Sequence, residues 1–119
     1  MEHFRLVRPE HMNHYGFLFG GYLLQWIDEI AYITAAVEFP EHRFVTVAMD
    51  NVEFRERIQI GEVLKLCVDQ THIGTTSVRY RIQAFGTVYG NAGDAALFET
   101  GIAFVNVDEK GNKSPIRRS

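Results

Sequence analysis

One cysteine and three prolines in 119 residues are the first scarcities, and each excludes something. A lone thiol, Cys67, cannot close an intrachain disulfide, which suits a reducing, cytoplasmic setting. Few prolines beside nine phenylalanines exclude a disordered chain. No apolar run reaches the roughly 20 residues of a membrane span, and the opening MEHFRLVRPE lacks the apolar stretch of a secretory leader. No membrane partner is expected. Charge of one sign is also missing: twelve Lys+Arg against fifteen Asp+Glu leave a net −3, too weak a field to gather nucleic acid. The only basic cluster is Lys113, Arg117 and Arg118, in a tail expected to be flexible over 113–119. The five histidines (His3, His11, His14, His42, His72) show no HExxH or Cys/His ligand spacing, so no metal is expected. There is no GxSxG elbow, GxGxxG or phosphate loop, and no organic cofactor is expected. The length sets one domain over 1–119, with little volume for a private active site.

What is present falls into one short strand, one helix and four strands. Residues 3–8 alternate, with Phe4 and Leu6 against charged neighbours. Pro9, Asn13 and Gly16 punctuate a loop, and Gly20–Gly21 precede sixteen residues, Tyr22–Val37, without Gly or Pro. Gln25, Asp28, Glu29 and Tyr32 form one narrow polar stripe on that helix, and the rest is apolar, which places it centrally. After Pro40 the period becomes two: 44–57, 62–73, 75–85 and 97–107 read as strands. Gly61 and Gly74 predict tight antiparallel turns, and Gly86–Asp94 a Gly-rich exposed loop. The economical fold is α+β of the hotdog type, a curved antiparallel five-stranded sheet wrapped around a long central helix.

Few residues can carry chemistry. Asp28, a carboxylate on an otherwise apolar helix, can serve as general base or nucleophile, or can simply be solvated on the polar stripe. Gly20 and Gly21 stand where a helix N-terminus offers unpaired N–H groups to a developing oxyanion, or form only a tight loop entry. Asn13 can orient a carbonyl or a water, or can be a turn residue. Asp28 lies about 10–12 Å along the helix from the glycine pair, so one carbonyl cannot easily meet both. A second chain would close that gap.

The stretch N-H-Y-G-F-L-F-G-G-Y-L-L-Q-W-I-D (13–28) resembles the signature of hotdog-fold acyl-CoA thioesterases of the YciA-like and brain cytosolic type. The resemblance continues through V-T-V-A-M-D-N-V-E-F (45–54), I-G-T-T-S-V (73–78) and A-F-V-N-V-D-E-K-G (103–111). It implies hydrolysis of an acyl-CoA to coenzyme A and a free acid. Asp28 corresponds to the catalytic carboxylate, Asn13 to its polar partner across a dimer, and Gly20 and Gly21 to the amides that polarise the carbonyl. Gly74, Thr75, Thr76 and Ser77 correspond to the coenzyme A-contacting stretch. It also implies a homo-oligomer, a dimer or three dimers in a hexamer, with no cofactor beyond the substrate's coenzyme A. Arg57 stands where the family commonly has Pro. The rivals are a non-catalytic acyl-CoA binding module and a hotdog enoyl-CoA hydratase or dehydratase, which would want an Asp/His couple.

Overall fold

The computed structural model describes residues 1–89 and 95–117. Its elements are β1 (Glu2–Leu6), a 3-10 turn at Pro9–His11, α1 (Gly20–Glu38), β2 (Phe44–Phe54), β3 (Val63–Ile73), β4 (Ser77–Gly86) and β5 (Phe98–Asn106). The strands form one antiparallel sheet in the order β1-β3-β4-β5-β2. The period-two pattern explains which face is covered. Leu64, Leu66 and Val68 of β3, with Val78, Tyr80, Ile82 and Ala84 of β4, are buried under α1. From the helix come Leu23, Trp26, Ile27, Ile30, Ala31, Thr34 and Ala35. Each fully buried aliphatic side chain there is worth roughly 1.5–3 kcal/mol relative to exposure. This is the sheet-around-helix layout the sequence pattern predicts.

Several boundaries and one pairing differ from the sequence reading: β1 ends at Leu6 rather than at residue 8, β2 at Phe54 rather than at 57, and β4 begins at Ser77 rather than at 75. The helix starts at Gly20, two residues early, with Phe19 as a cap that makes no side-chain hydrogen bond. The turn at Gly61 does not join paired neighbours, because β2 pairs with β5 and β3 pairs with β1 and β4. Residues 55–62 instead cross from one sheet edge toward the other. Backbone bonds fasten that crossing to the segment before the helix: Leu18 N–H donates to Ile58 O at 2.9 Å, and Gly61 N–H to Val7 O at 2.8 Å. A tight Gly turn is a local signal, whereas strand order depends on where the helix lies.

Glu62 anchors the end of this crossing. It is buried, and its Oε1 accepts N–H bonds from Val63, Thr87 and Val88 at 2.8–2.9 Å, with Tyr89 N–H 3.3 Å from Oε2. Burial pushes the carboxyl up, but the N–H groups of Val88, Thr87, Tyr89 and Val63 outweigh it and hold the group below its ordinary value. It thereby pins the first residues of the Gly-rich loop, whose remainder, Gly90–Asp94, lies outside the described residues.

Residues 113–117, expected as part of a flexible tail, are fastened to the sheet. Buried Asn106 accepts from Arg43 N–H at 2.8 Å and donates through Nδ2 to Ser114 O and Pro115 O at 3.1 and 3.2 Å. Arg117 N–H donates to His42 Nε2 at 2.8 Å. Asn106→Ala leaves three backbone groups without that partner. An expected loss of about 2 kcal/mol follows, checked by urea denaturation at fixed protein concentration.

Candidate active site

Asp28 faces β2. Thr46 Oγ1 donates to Asp28 Oδ1 at 2.7 Å, leaving Oδ2 without a hydrogen bond among the described residues. Asp28 is half-buried. It is therefore neither lost in the core nor freely solvated, and one of its oxygens stays available to a proton or a carbonyl carbon. Sequence reasoning missed Thr46, since a Thr in a run of alternating strand residues looks like any other.

Asn13 has its two side-chain functions divided. Its Oδ1 accepts N–H bonds from Tyr15 at 2.9 Å and Phe17 at 3.1 Å, so the carbonyl is taken up in shaping the loop. With that assignment the Nδ2 amide points away from these bonds and remains a donor. Asn13 lines a cavity of about 590 Å³ with walls that include Phe17, Leu18, Leu23, Phe54 and Ile58.

The glycine pair opens α1 beneath aromatic rings. A Cβ on Gly20 would lie 3.1 Å from Phe54 Cζ, and one on Gly21 only 2.5 Å from Phe19 Cε2. Both positions are crowded for any side chain. The helix's first backbone bonds are Tyr22 and Leu23 N–H to Phe19 O, so the Gly20 and Gly21 N–H groups have no acceptor among the described residues. They carry the positive end of the helix dipole.

The Gly74–Ser77 stretch is the β3–β4 turn. Gly74 N–H donates to Ser77 O, Asn106 N–H to Thr76 O and Ile116 N–H to Thr75 O, each at 2.8 Å. The tail thus braces the turn's backbone, and the Thr75 and Thr76 hydroxyls make no hydrogen bond to a described residue.

Strand register shows how these parts lie. Thr46 pairs with Phe104, and Phe104 with Val78, so Asp28 stands at the end of the sheet that carries the Gly74–Ser77 turn. Phe54, over Gly20, pairs with Phe98, and Phe98 with Ala84. Ser77 to Ala84 spans about 23 Å of strand. One chain therefore places Asp28, Thr46 and the turn toward one end, and Gly20, Gly21 and Asn13 toward the other.

Within one chain, and among the described residues, no histidine bonds to the carboxylate: Asp28's hydrogen-bond partner is Thr46. His11 accepts Arg8 N–H on Nδ1 and sets its ring edge-on to Trp26 at 4.8 Å. Phe17 lines the cavity beside Asn13. Phe19 lines a neighbouring hollow with Gly21 and Tyr22, Trp26 is buried, and Met49 packs on the core.

A sheet of this order with one long helix on its face, open along β2, is the hotdog fold. The description of the thioesterase superfamily matches residues 15–91, and the chain belongs to that superfamily. An uncharacterized acyl-CoA thioester hydrolase of Bacillus subtilis is 32% identical over 115 residues, covering 94% of this chain and 64% of that protein. A counterpart of Zymomonas mobilis is 29% identical, over 87% of this chain and 69% of that one. The chain thus spans about two thirds of these relatives' length. Among solved structures, the Staphylococcus aureus acyl-CoA hydrolase in complex with butyryl coenzyme A, coenzyme A and coenzyme A disulfide superposes with a TM-score of 0.83. It shares 28% identity and covers 98% of this chain and 68% of that one. Variants of that hydrolase replace by Ala an Asp and an Asn fifteen positions apart, the spacing of Asn13 and Asp28 here. A hexameric thioesterase of Campylobacter jejuni has a TM-score of 0.82 at 28% identity, over 97% of this chain and 88% of that one.

Proposed function

We propose that the protein is an acyl-CoA thioester hydrolase, releasing coenzyme A and a free carboxylic acid at sites each completed by two copies of the chain. The placement of Asp28 supports this most: a half-buried carboxylate with one fixed and one available oxygen, inside the family's fold. Asp28 either takes a proton from the attacking water or attacks the thioester carbonyl itself. The partner subunit's Asn13 donates its Nδ2 hydrogen to the carbonyl, and the partner's Gly20 and Gly21 amides stabilise the charge that develops on its oxygen. A thiolate leaves readily, so a protonated histidine is not needed at the sulfur. The Gly74–Ser77 turn presents backbone and hydroxyl groups to the coenzyme A portion. The reaction so written uses no metal or organic cofactor.

A homo-oligomer follows from the same geometry. β2 is a sheet edge with exposed Val45, Val47, Val52 and Phe54, and α1 turns Ile33 and Val37 outward beside its polar stripe. An open apolar edge of eleven residues invites pairing with another strand. Antiparallel pairing of two β2 edges brings the glycine end of one chain beside the Asp28 end of the other. Three such dimers in a hexamer are the larger assembly we favour. Val47→Lys is expected to yield monomers in sedimentation velocity and to lose most acyl-CoA hydrolysis.

We place the protein in the cytoplasm; no helix among the described residues is long and apolar enough to cross a membrane. The direct test of function is a panel of acyl-CoA esters from short to long chain, read by thiol release. Hydrolysis of at least one ester is expected. Tight acyl-CoA binding without turnover would turn the reading to a binding module, and hydration of an enoyl-CoA to a hydratase.

A further inference from the structure

We infer that Arg57 reads the far end of the acyl group and favours acyl-CoA esters whose chain ends in a carboxylate. This rests on the thioester hydrolase reading above and adds a substrate class to it. Arg57 stands in the 55–62 crossing and lines the same cavity of about 590 Å³ as Asn13. Its Cζ lies 4.8 Å from the centre of the Phe17 ring. The guanidinium makes no hydrogen bond or ion pair to a described residue. Its neighbour Arg55 differs, being held by Glu53 at 2.9 Å and Glu99 at 2.8 Å.

Beside Asn13 and the charged run Arg55, Glu56 and Arg57, the cavity wall is apolar through Phe17, Leu18, Leu23, Phe54 and Ile58, and Arg55 is already engaged by Glu53 and Glu99. Such walls take the hydrocarbon part of an acyl group, while the polar coenzyme A portion falls to the Gly74–Ser77 turn. A guanidinium held over an aromatic ring can still offer N–H groups, and their fork matches a carboxylate's two oxygens. Glu56 also lines this wall, so the cation is not alone there. Glu56 makes no ion pair with Arg57, and it would repel the same end group that Arg57 attracts. The balance therefore shifts in opposite directions when either is neutralised.

The experiment compares kcat/KM for matched pairs, succinyl-CoA against butyryl-CoA and glutaryl-CoA against pentanoyl-CoA, in wild type, Arg57→Met and Glu56→Gln. Arg57→Met is expected to lower the ratio of the carboxylate-ended to the neutral ester by about tenfold or more, as befits loss of a charge-assisted pair. Its rate on the neutral ester should stay within about threefold of wild type, and Glu56→Gln should raise the ratio. An unchanged ratio in Arg57→Met overturns the inference. So does an equal loss on both esters, which would mean that Arg57 serves the common coenzyme A portion or the fold. If wild type hydrolyses neutral esters alone, the inference fails while the hydrolase reading stands. If it hydrolyses no acyl-CoA, the hydrolase reading itself fails.

Discussion

Asp28→Asn protein is expected to fold and assemble as wild type does, and to lose roughly a thousandfold or more of its acyl-CoA hydrolysis. The substitution keeps the Oδ1 that accepts the Thr46 hydroxyl at 2.7 Å, so the local geometry survives. What disappears is the basicity and charge of the second oxygen. A general base or nucleophile cannot work without them, whereas a solvated surface carboxylate would hardly be missed. Thr46→Ala should give an intermediate result, because the carboxylate remains but turns more freely. The check is kcat on the best ester, with circular dichroism and sedimentation confirming the fold and the assembly. Wild-type turnover in Asp28→Asn would remove Asp28 from the chemistry.

The second large effect concerns stability. Glu62→Ala should lower unfolding free energy by roughly 3 kcal/mol, because the N–H groups of Val63, Thr87, Val88 and Tyr89 lose their acceptor. For a chain of this size that corresponds to a melting temperature lower by about 10 °C, at equal protein concentration. A pH signature separates this from ordinary cavity formation. Since the folded state holds the Glu62 carboxyl below its ordinary value, the contribution is fully present above the unfolded pKa, about 4.3, and is lost as pH falls through the lowered folded value. Wild type should therefore lose part of its stability on acidification below about pH 4.5, and Glu62→Ala should show a shallower acid limb. Denaturant midpoints from pH 3 to 7 measure both.

The fold was largely legible because two periods dominate the chain. Val78, Tyr80, Ile82 and Ala84 alternate with polar residues, and each proves buried. The helix stripe read equally well. The order of strands was less accessible: Gly61 looks like a hairpin turn, yet β2 and β3 are not neighbours. A turn residue reports only its own backbone. Which edges meet depends on the helix occupying one face and on β1 returning to pair with β3.

The candidate site was legible in its residues and less so in its partners. Asn13, the glycine pair and Asp28 stand out by type and spacing. Thr46 does not, because its contact with Asp28 spans eighteen residues and depends on how β2 lies along the helix. The division of Asn13 into an occupied oxygen and an available amide depends on how the loop after it folds back to place the Tyr15 and Phe17 N–H groups. The tail gave no hint of its clasp by Asn106 and His42, since composition there signals only charge and turns.

The central claim is that each site draws Asp28 from one chain and Asn13 from another. Asn13→Asp keeps an oxygen for the Tyr15 and Phe17 N–H groups while removing the amide donor, so it isolates that role. The measurement is acyl-CoA hydrolysis after inactive Asp28→Asn and Asn13→Asp proteins are unfolded together and refolded at equal concentration. Random pairing makes about half the dimers mixed, each with one intact site of two, so activity should recover to roughly a quarter of wild type. Activity that stays at the level of the two parents, in demonstrably mixed oligomers, would contradict a shared site.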